Sequence, residues 1–237
     1  MGLVTAYEIV KSFHNNECQN FFVYGPLGYG KTSYSLQILM EIYKKQIEKD
    51  GLVQTLSRYF FHNPLEFLRS VRSYQHQVPA VAWDDAGVWL YYLDFHNPVV
   101  KSIAKMMQLI RTKTSSVIFT TPSPTLVLGK LRNFPQTLTI KIKKPRYDED
   151  HPHRTLDDLR VATAYRSWLL PDLQKLRVKK LYEDDFSKML PNELYEWACK
   201  QRKDYVRQIE DEIERHLPKE LQLQVPIINV EGGEKAI

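Results

Sequence analysis

Apolar residues along the chain come in blocks, and the spacing inside each block predicts its element. Asn20-Phe21-Phe22-Val23-Tyr24 is a short apolar run between polar neighbours and predicts a buried strand. Before it, Val4, Ile9, Val10 and Phe13 recur at helical spacing and predict a short helix over 3–14, ended by Asn15 and Asn16. After it, Tyr34, Ile38, Leu39, Ile42 and Tyr43 form one stripe of a helix over 32–49. Lys44, Lys45, Glu48 and Lys49 fall on its solvated side, and Asp50-Gly51 stops it. The stretch 52–62 reads as a short helix running into a strand at Tyr59-Phe60-Phe61. Asn63-Pro64 is an N-cap with a first-turn proline, opening a helix to about Tyr74 that carries Leu65, Phe67, Leu68 and Val71.

The second half repeats this alternation. Residues 78–83 are an apolar strand that ends on two carboxylates, Asp84 and Asp85. Asn97-Pro98 opens a helix with Val99, Val100, Ile103, Met107 and Ile110 on one face, and Arg111 and Lys113 at its C-terminal end, where cations suit the helix dipole. Residues 116–121 form a strand with a polar tip at Thr120-Thr121, turned by Pro122-Ser123-Pro124. A short segment, 126–132, precedes a further strand over 137–142. Residues 161–169 and 176–182 predict a β-hairpin around Leu170-Pro171-Asp172, and Pro191 opens a last helix to about His216 with Leu194, Ala198, Tyr205, Ile209 and Ile213 on a stripe. Pro218 ends it, and the tail to Ile237 reads as loose. Strands alternating with helices give an α/β class. The expected organisation is a core over 1–146, an extension of hairpin plus long helix over 147–217, and the tail over 218–237.

Composition changes this picture little. With 237 residues and 43% apolar content the chain can bury one substantial α/β core. No apolar run is long enough to span a bilayer, and the first 14 residues lack the order of a signal peptide, so the expectation is a cytoplasmic protein with no membrane partner. Two cysteines, Cys18 and Cys199, make no disulfide framework or metal spacing, and none of the seven histidines has catalytic spacing. The net charge of +5 is compatible with a nucleic-acid partner without requiring one. Lys141, Lys143, Lys144 and Arg146 form a basic run that Asp148-Glu149-Asp150 dilutes. Arg166, Lys175, Arg177, Lys179 and Lys180 would make the hairpin a basic ribbon, which extends the sheet, projects as a DNA-contacting arm, or is simply solvated.

The candidate chemistry sits at strand ends. Gly25-Pro26-Leu27-Gly28-Tyr29-Gly30-Lys31-Thr32, with Ser33 next in the chain, fits G-x-x-x-x-G-K-[ST] between a strand and a helix. That is a P-loop: backbone N–H groups and a helix N-terminus receive nucleotide phosphates, Lys31 adds a mobile charge, and the Thr32 hydroxyl is placed for Mg²⁺. ATP with Mg²⁺ is the expected ligand. Downstream, Asp84 occupies the metal-holding position of a Walker B strand, and Asp85 the position that polarises the attacking water. Asp85 is one methylene shorter than the glutamate common there, which leaves open a nucleotide-gated switch with little turnover. Thr120 and Thr121 are the candidates for sensing the γ-phosphate from an additional strand between the P-loop strand and the Walker B strand. Arg132 is the candidate finger reaching into a neighbouring subunit's site, with Arg111 the other; a surface arginine or a DNA-phosphate contact are the competing readings. The expected fold is therefore a three-layer αβα P-loop NTPase sandwich with an additional central strand. A small-molecule kinase would need an arginine-rich lid after the core, and no convincing one is present.

Four blocks also resemble a known family: Gly25 to Thr32, Asp84-Asp85-Ala86-Gly87-Val88-Trp89-Leu90, Val117-Ile118-Phe119-Thr120-Thr121-Pro122-Ser123-Pro124, and Leu190-Pro191 with Tyr195, Arg202 and Tyr205. Together they resemble the P-loop ATPase of archaeal spindle-shaped viruses (fuselloviruses) and related plasmids, described as similar to the DnaA replication initiator. The resemblance implies an ATPase acting on the element's DNA in the host cytoplasm, most simply a DnaA-like initiation or loading factor that assembles as a ring or filament of identical subunits. The chain departs from DnaA in having no helical lid with a sensor arginine and no helix-turn-helix. The hairpin after the core is more like the packaging and conjugation ATPases of the FtsK–HerA or Zot type.

Overall fold

The computed structural model describes residues 2–127, 129–132, 137–145, 158–170 and 175–216. Arg146, the acidic run Asp148-Glu149-Asp150, the Pro171-Asp172 turn and the tail over 218–237 lie outside the described residues. The described chain divides into two compact units, Met1–Trp197 and Ala198–Ile237.

Among the described residues of the first unit, seven strands form one sheet. In chain order they are β1 (Gln19–Tyr24), β2 (Phe60–Phe61), β3 (Val78–Trp83), β4 (Thr114–Thr121), β5 (Thr137–Lys143), β6 (Leu159–Leu170) and β7 (Lys175–Ser187). Their spatial order is β2-β3-β4-β1-β5-β6-β7. The first five are parallel, and β6 and β7 add on antiparallel beyond β5. Strand β4 thus separates β1 from β3, as the polar-tipped strand was expected to do. Central parallel strands are covered on both faces, which is why β1 and β3 carry near-continuous apolar runs, while β4, apolar only from Val117 to Phe119, is nevertheless buried along its whole length. Phe21, Phe22 and Val23 are fully buried, and Phe22 stacks on Phe119 of β4 at 4.9 Å between ring centroids.

The helices are α1 (Val4–His14), α2 (Lys31–Ile42), α3 (Lys44–Asp50), α4 (Leu52–Leu56), α5 (Pro64–Ser73), α6 (Ala86–Trp89), α7 (Pro98–Met107), α8 (Gly129–Arg132) and α9 (Asn192–His216), the last contributing its residues from Ala198 onward to the second unit. Asn63 caps α5 by accepting from the Leu65 and Glu66 N–H groups, and Asn97 caps α7 by accepting from Val99, as the Asn-Pro pairs predicted. The single helix expected over 32–49 is broken at Tyr43. Its ring stacks on Tyr59 at 3.9 Å and its hydroxyl donates to the Ala80 carbonyl at 2.6 Å, so burying the tyrosine outweighs continuing the helix. Four stripe residues also differ from expectation: Val4 is 37%, Leu65 51%, Val99 54% and Ile213 55% exposed. Each lies near a helix end, where spacing alone does not say how far the covering surface extends. No helix among the described residues is long and apolar enough to cross a membrane.

The hairpin is anchored through a buried carboxylate. Asp184 of β7 accepts from the Val4 N–H at 2.6 Å, the Thr5 N–H at 3.2 Å, the Thr5 hydroxyl at 2.9 Å and the Tyr34 hydroxyl at 2.6 Å. It supplies the cap that Leu3 cannot give α1, while Glu41 of α2 accepts from the Leu3 N–H at 2.8 Å. Burial and the adjacent Asp184 push the Tyr34 pKa well up, keeping its hydroxyl a donor. Gln37 of α2 reaches the Ser187 carbonyl at 2.6 Å. The helix after the P-loop is therefore tied directly to the proximal end of the hairpin.

Candidate nucleotide site

The loop between β1 and α2 is shaped by backbone that side chains would obstruct. Gly25 has φ 151°, and a Cβ there would meet the Ile142 carbonyl of β5 at 2.7 Å. Gly30, the N-cap of α2, has φ 86°, and a Cβ there would lie 3.1 Å from Lys188 Cβ. Glycine meets both the left-handed conformation and the close approach. Lys31 opens α2 nearly buried, and its ammonium donates to the Gly25 and Pro26 carbonyls, each at 3.0 Å. The charge therefore sits over the loop that precedes it. Pro26, Leu27 and Gly28 are exposed, and Tyr29 and Ser33 are half-buried.

Across the sheet end, Asp84 comes directly after β3 and is fully buried. The Thr32 hydroxyl lies 3.1 Å from its Oδ1 and 3.0 Å from its Oδ2. The Thr120 hydroxyl, from β4, donates to Asp84 Oδ1 at 2.5 Å and accepts the Asp85 N–H at 2.8 Å. One threonine thus links both acids to the tip of the additional strand. Asp85 takes a left-handed conformation, φ 49° and ψ 36°, at the start of α6 and stays half-buried. Aspartate tolerates that region better than most residues, and positions held there concentrate at functional sites.

Strand order explains how residues so far apart in sequence meet. Parallel β1, β4 and β3 all end on one side, so Thr32, Thr120 and Asp84 converge there. The two threonines of the tip part company. Thr121 donates to the Ser123 carbonyl at 2.9 Å, and its Oγ1 is the atom a Cβ on Gly87 would strike at 2.7 Å. It braces the turn and α6, and its hydroxyl makes no hydrogen bond to either acid, because neighbours along a strand point to opposite faces. Arg132 ends α8, and its side chain is outside the described residues. Arg111 lies in a turn just before β4, at the opposite end of the sheet from this site.

Two features carry no signal in the local sequence. His62 is buried with Nδ1 3.7 Å from Asp84 Oδ2. Only the strand register could have found it: Phe61 pairs with Trp83, which brings the next residues, His62 and Asp84, side by side. Around the P-loop tyrosine, Lys144 Nζ and Arg160 Cζ lie 5.9 and 5.8 Å from the Tyr29 ring centroid. Lys144, just past β5, and Arg160 of β6 thus stand beside the loop, a proximity only the tertiary fold creates.

The Thr32 hydroxyl and the Asp84 carboxylate are hard oxygen donors held side by side, which suits Mg²⁺. Among the described residues no group of three or more His, Cys, Asp or Glu could hold a metal ion.

No family model matches the chain. It is 25% identical over 224 residues to the uncharacterized protein B-251 of Sulfolobus spindle-shape virus 1, a match covering 92% of this chain and 87% of that protein. Among solved structures, the N-terminal domain of zonular occludens toxin from Neisseria meningitidis is similar at TM-score 0.39 and 12% identity, over 71% of this chain and 95% of that one. The genome packaging NTPase B204 of Sulfolobus turreted icosahedral virus 2, solved with ATP-gammaS, is similar at TM-score 0.37 and 10% identity, over 71% of this chain and 99% of that one. The sheet order is the deciding observation: β5-β1-β4-β3-β2, with the P-loop after β1 and the two acids after β3. This is a P-loop NTPase fold of the additional-strand type.

Proposed function

We propose that the protein is an ATPase of an archaeal virus or plasmid that couples ATP hydrolysis to movement of DNA. The observation that carries the hydrolytic part is the cluster of Thr32, Asp84, Thr120 and Asp85 at one strand end. In this reading the loop over Gly25–Thr32, with Ser33, receives the phosphates on backbone N–H groups, and Lys31 exchanges its loop carbonyls for phosphate oxygens. Thr32 and Asp84 would hold Mg²⁺, whose charge would offset that of the phosphates. Asp85 accepts a proton from the water that attacks the γ-phosphorus, and Thr120 fixes where both acids point. Arg132 or Arg111 of a neighbouring copy would complete the site in a ring or filament.

The choice between DNA readings rests on the chain beyond β5. A DnaA-like initiation or loading factor would carry a helical lid there. Here β6 and β7 extend the sheet directly, and Asp184 and Ser187 tie them to the P-loop helix. That linkage supports a translocating motor for packaging or transfer, because a change in the loop is passed to an element outside the nucleotide site. A nucleotide-gated switch with little turnover is favoured by one observation, the short Asp85 in its left-handed conformation. The test is ATP hydrolysis with and without duplex DNA, measured alongside oligomeric state and ATP-driven displacement along DNA. Displacement on any duplex supports the motor. Origin-selective binding without displacement supports the loader, and ATP binding without turnover supports the switch.

A further inference from the structure

We propose that the distal half of the β6–β7 ribbon is a duplex-DNA binding site, with Arg166, Arg177 and Lys179 as its phosphate contacts. The site rests on the reading that the protein works on DNA and adds where the DNA sits. Strand β5 pairs with β6 only from Leu138↔Arg166 to Lys143↔Val161. The pairs Ser167↔Val178, Trp168↔Arg177, Leu169↔Leu176 and Leu170↔Lys175 continue past Arg166 as a two-stranded ribbon. Four further residues at about 3.3 Å each carry it about 13 Å beyond that pairing. Because β6 runs antiparallel to β5, the ribbon leaves the sheet at the end opposite the P-loop, so these cations are not part of the nucleotide site.

The charge on the ribbon is segregated. Strand β7 has Lys175, Arg177, Lys179 and Lys180 in its first half and Glu183, Asp184 and Asp185 in its second. Of these acids, Glu183 is engaged by Lys180 at 3.1 Å and Lys143 at 3.3 Å, Asp184 caps α1, and Asp185 pairs opposite Val161, six residues along the strand from Lys179. Arg166 stands directly opposite Lys179 across the ladder, and Arg177 lies two residues further along the same face. Like charges directly opposed on a ladder are destabilising. All three side chains are exposed, and none makes an ion pair among the described residues. Val178, between two of them, is 60% exposed. A face that concentrates positive charge at a stability cost is complementary to a polyanion. The shape selects duplex DNA, since the major groove, about 12 Å wide and about 8.5 Å deep, admits a two-stranded β-ribbon.

The test is fluorescence anisotropy of a labelled duplex with the full chain, across a salt series, without nucleotide and with a non-hydrolysable ATP analogue. The probe proteins are wild type, the triple variant Arg166→Ala, Arg177→Ala, Lys179→Ala, and a control, Lys101→Ala with Lys105→Ala on α7. ATP-analogue binding and thermal unfolding of each are read separately. The expected result is wild-type binding, at least about tenfold weaker binding by the triple variant, and a log–log salt slope shallower by about 2.7 units for three lost phosphate contacts. The triple variant should bind the ATP analogue normally and unfold no earlier than wild type. Wild-type binding with an unchanged triple variant, or loss confined to the α7 control, overturns the ribbon site and leaves the DNA reading standing. Absence of wild-type DNA binding in every condition overturns both.

Discussion

Replacing Thr120 by valine removes one hydroxyl and keeps the shape of a fully buried side chain. That hydroxyl donates to Asp84 Oδ1 at 2.5 Å and accepts the Asp85 N–H at 2.8 Å. A hydrogen bond to a charged group contributes about 1.5–3 kcal/mol, and depriving a buried donor of its acceptor costs about 1–3 kcal/mol. Asp84 keeps the Thr32 hydroxyl, which places the net effect towards the lower end, about 3 kcal/mol of folding stability. If the Thr120 bond holds Asp84 in its working geometry, losing about 1.5–3 kcal/mol in the transition state slows turnover about 10- to 150-fold. Thr120→Ser restores the hydroxyl and should recover most of both losses. The assay is steady-state ATP hydrolysis over a Mg²⁺ series, paired with urea unfolding of the same preparations. A valine variant that turns over at the wild-type rate, or a serine variant as slow as the valine one, would refute the reasoning that Thr120 links the two acids.

Three further outcomes are expected. Asp85→Asn, which keeps the left-handed backbone accessible, should retain ATP binding by titration and lose turnover by at least about a hundredfold, the scale of a positioned base; hydrolysis near wild type would remove Asp85 from that role. His62→Ala should raise the Mg²⁺ concentration for half-maximal hydrolysis about tenfold while His62→Gln raises it less, because outer groups orient the ligand they touch; an unchanged Mg²⁺ dependence would reduce His62 to core packing. Glu183 is pushed up by burial, but hydrogen bonds from Thr163, Lys180 and Lys143 outweigh this and hold its carboxyl at about 2. Its folded pKa is below the unfolded one, so its contribution is full above about pH 4.3 and is lost as pH falls towards 2. Urea midpoints should therefore put Glu183→Gln below wild type at pH 7 and converge with it near pH 2, and parallel curves at all pH values would contradict that assignment.

Much of the fold was legible because each element carried its own local signal. The Asn-Pro pairs marked two helix starts, and apolar runs marked β1 and β3. The Gly25–Thr32 spacing placed the loop, and the polar tip of β4 foretold a strand between β1 and β3. The hidden part depended on contacts distant in sequence. Tyr43 breaks a good helix to reach Ala80, 37 residues away. Thr120 and Thr121 are chemically identical, and only the face of β4 on which each lies decides that one meets Asp84 and the other Ser123. His62 has no motif; it meets Asp84 because a two-residue strand pairs in one register. Asp184 would pass for a solvated strand acid until α1 is seen to start on it.

The central claim is hydrolysis at the Thr32–Asp84–Thr120–Asp85 cluster, and one measurement meets it most directly. The purified protein is incubated with ATP and Mg²⁺, with and without duplex DNA, and phosphate release is followed beside Lys31→Ala. Release well above the Lys31→Ala background, with a further rise on adding DNA, is the predicted result. ATP turnover by wild type that never exceeds that background, in either condition, would contradict it.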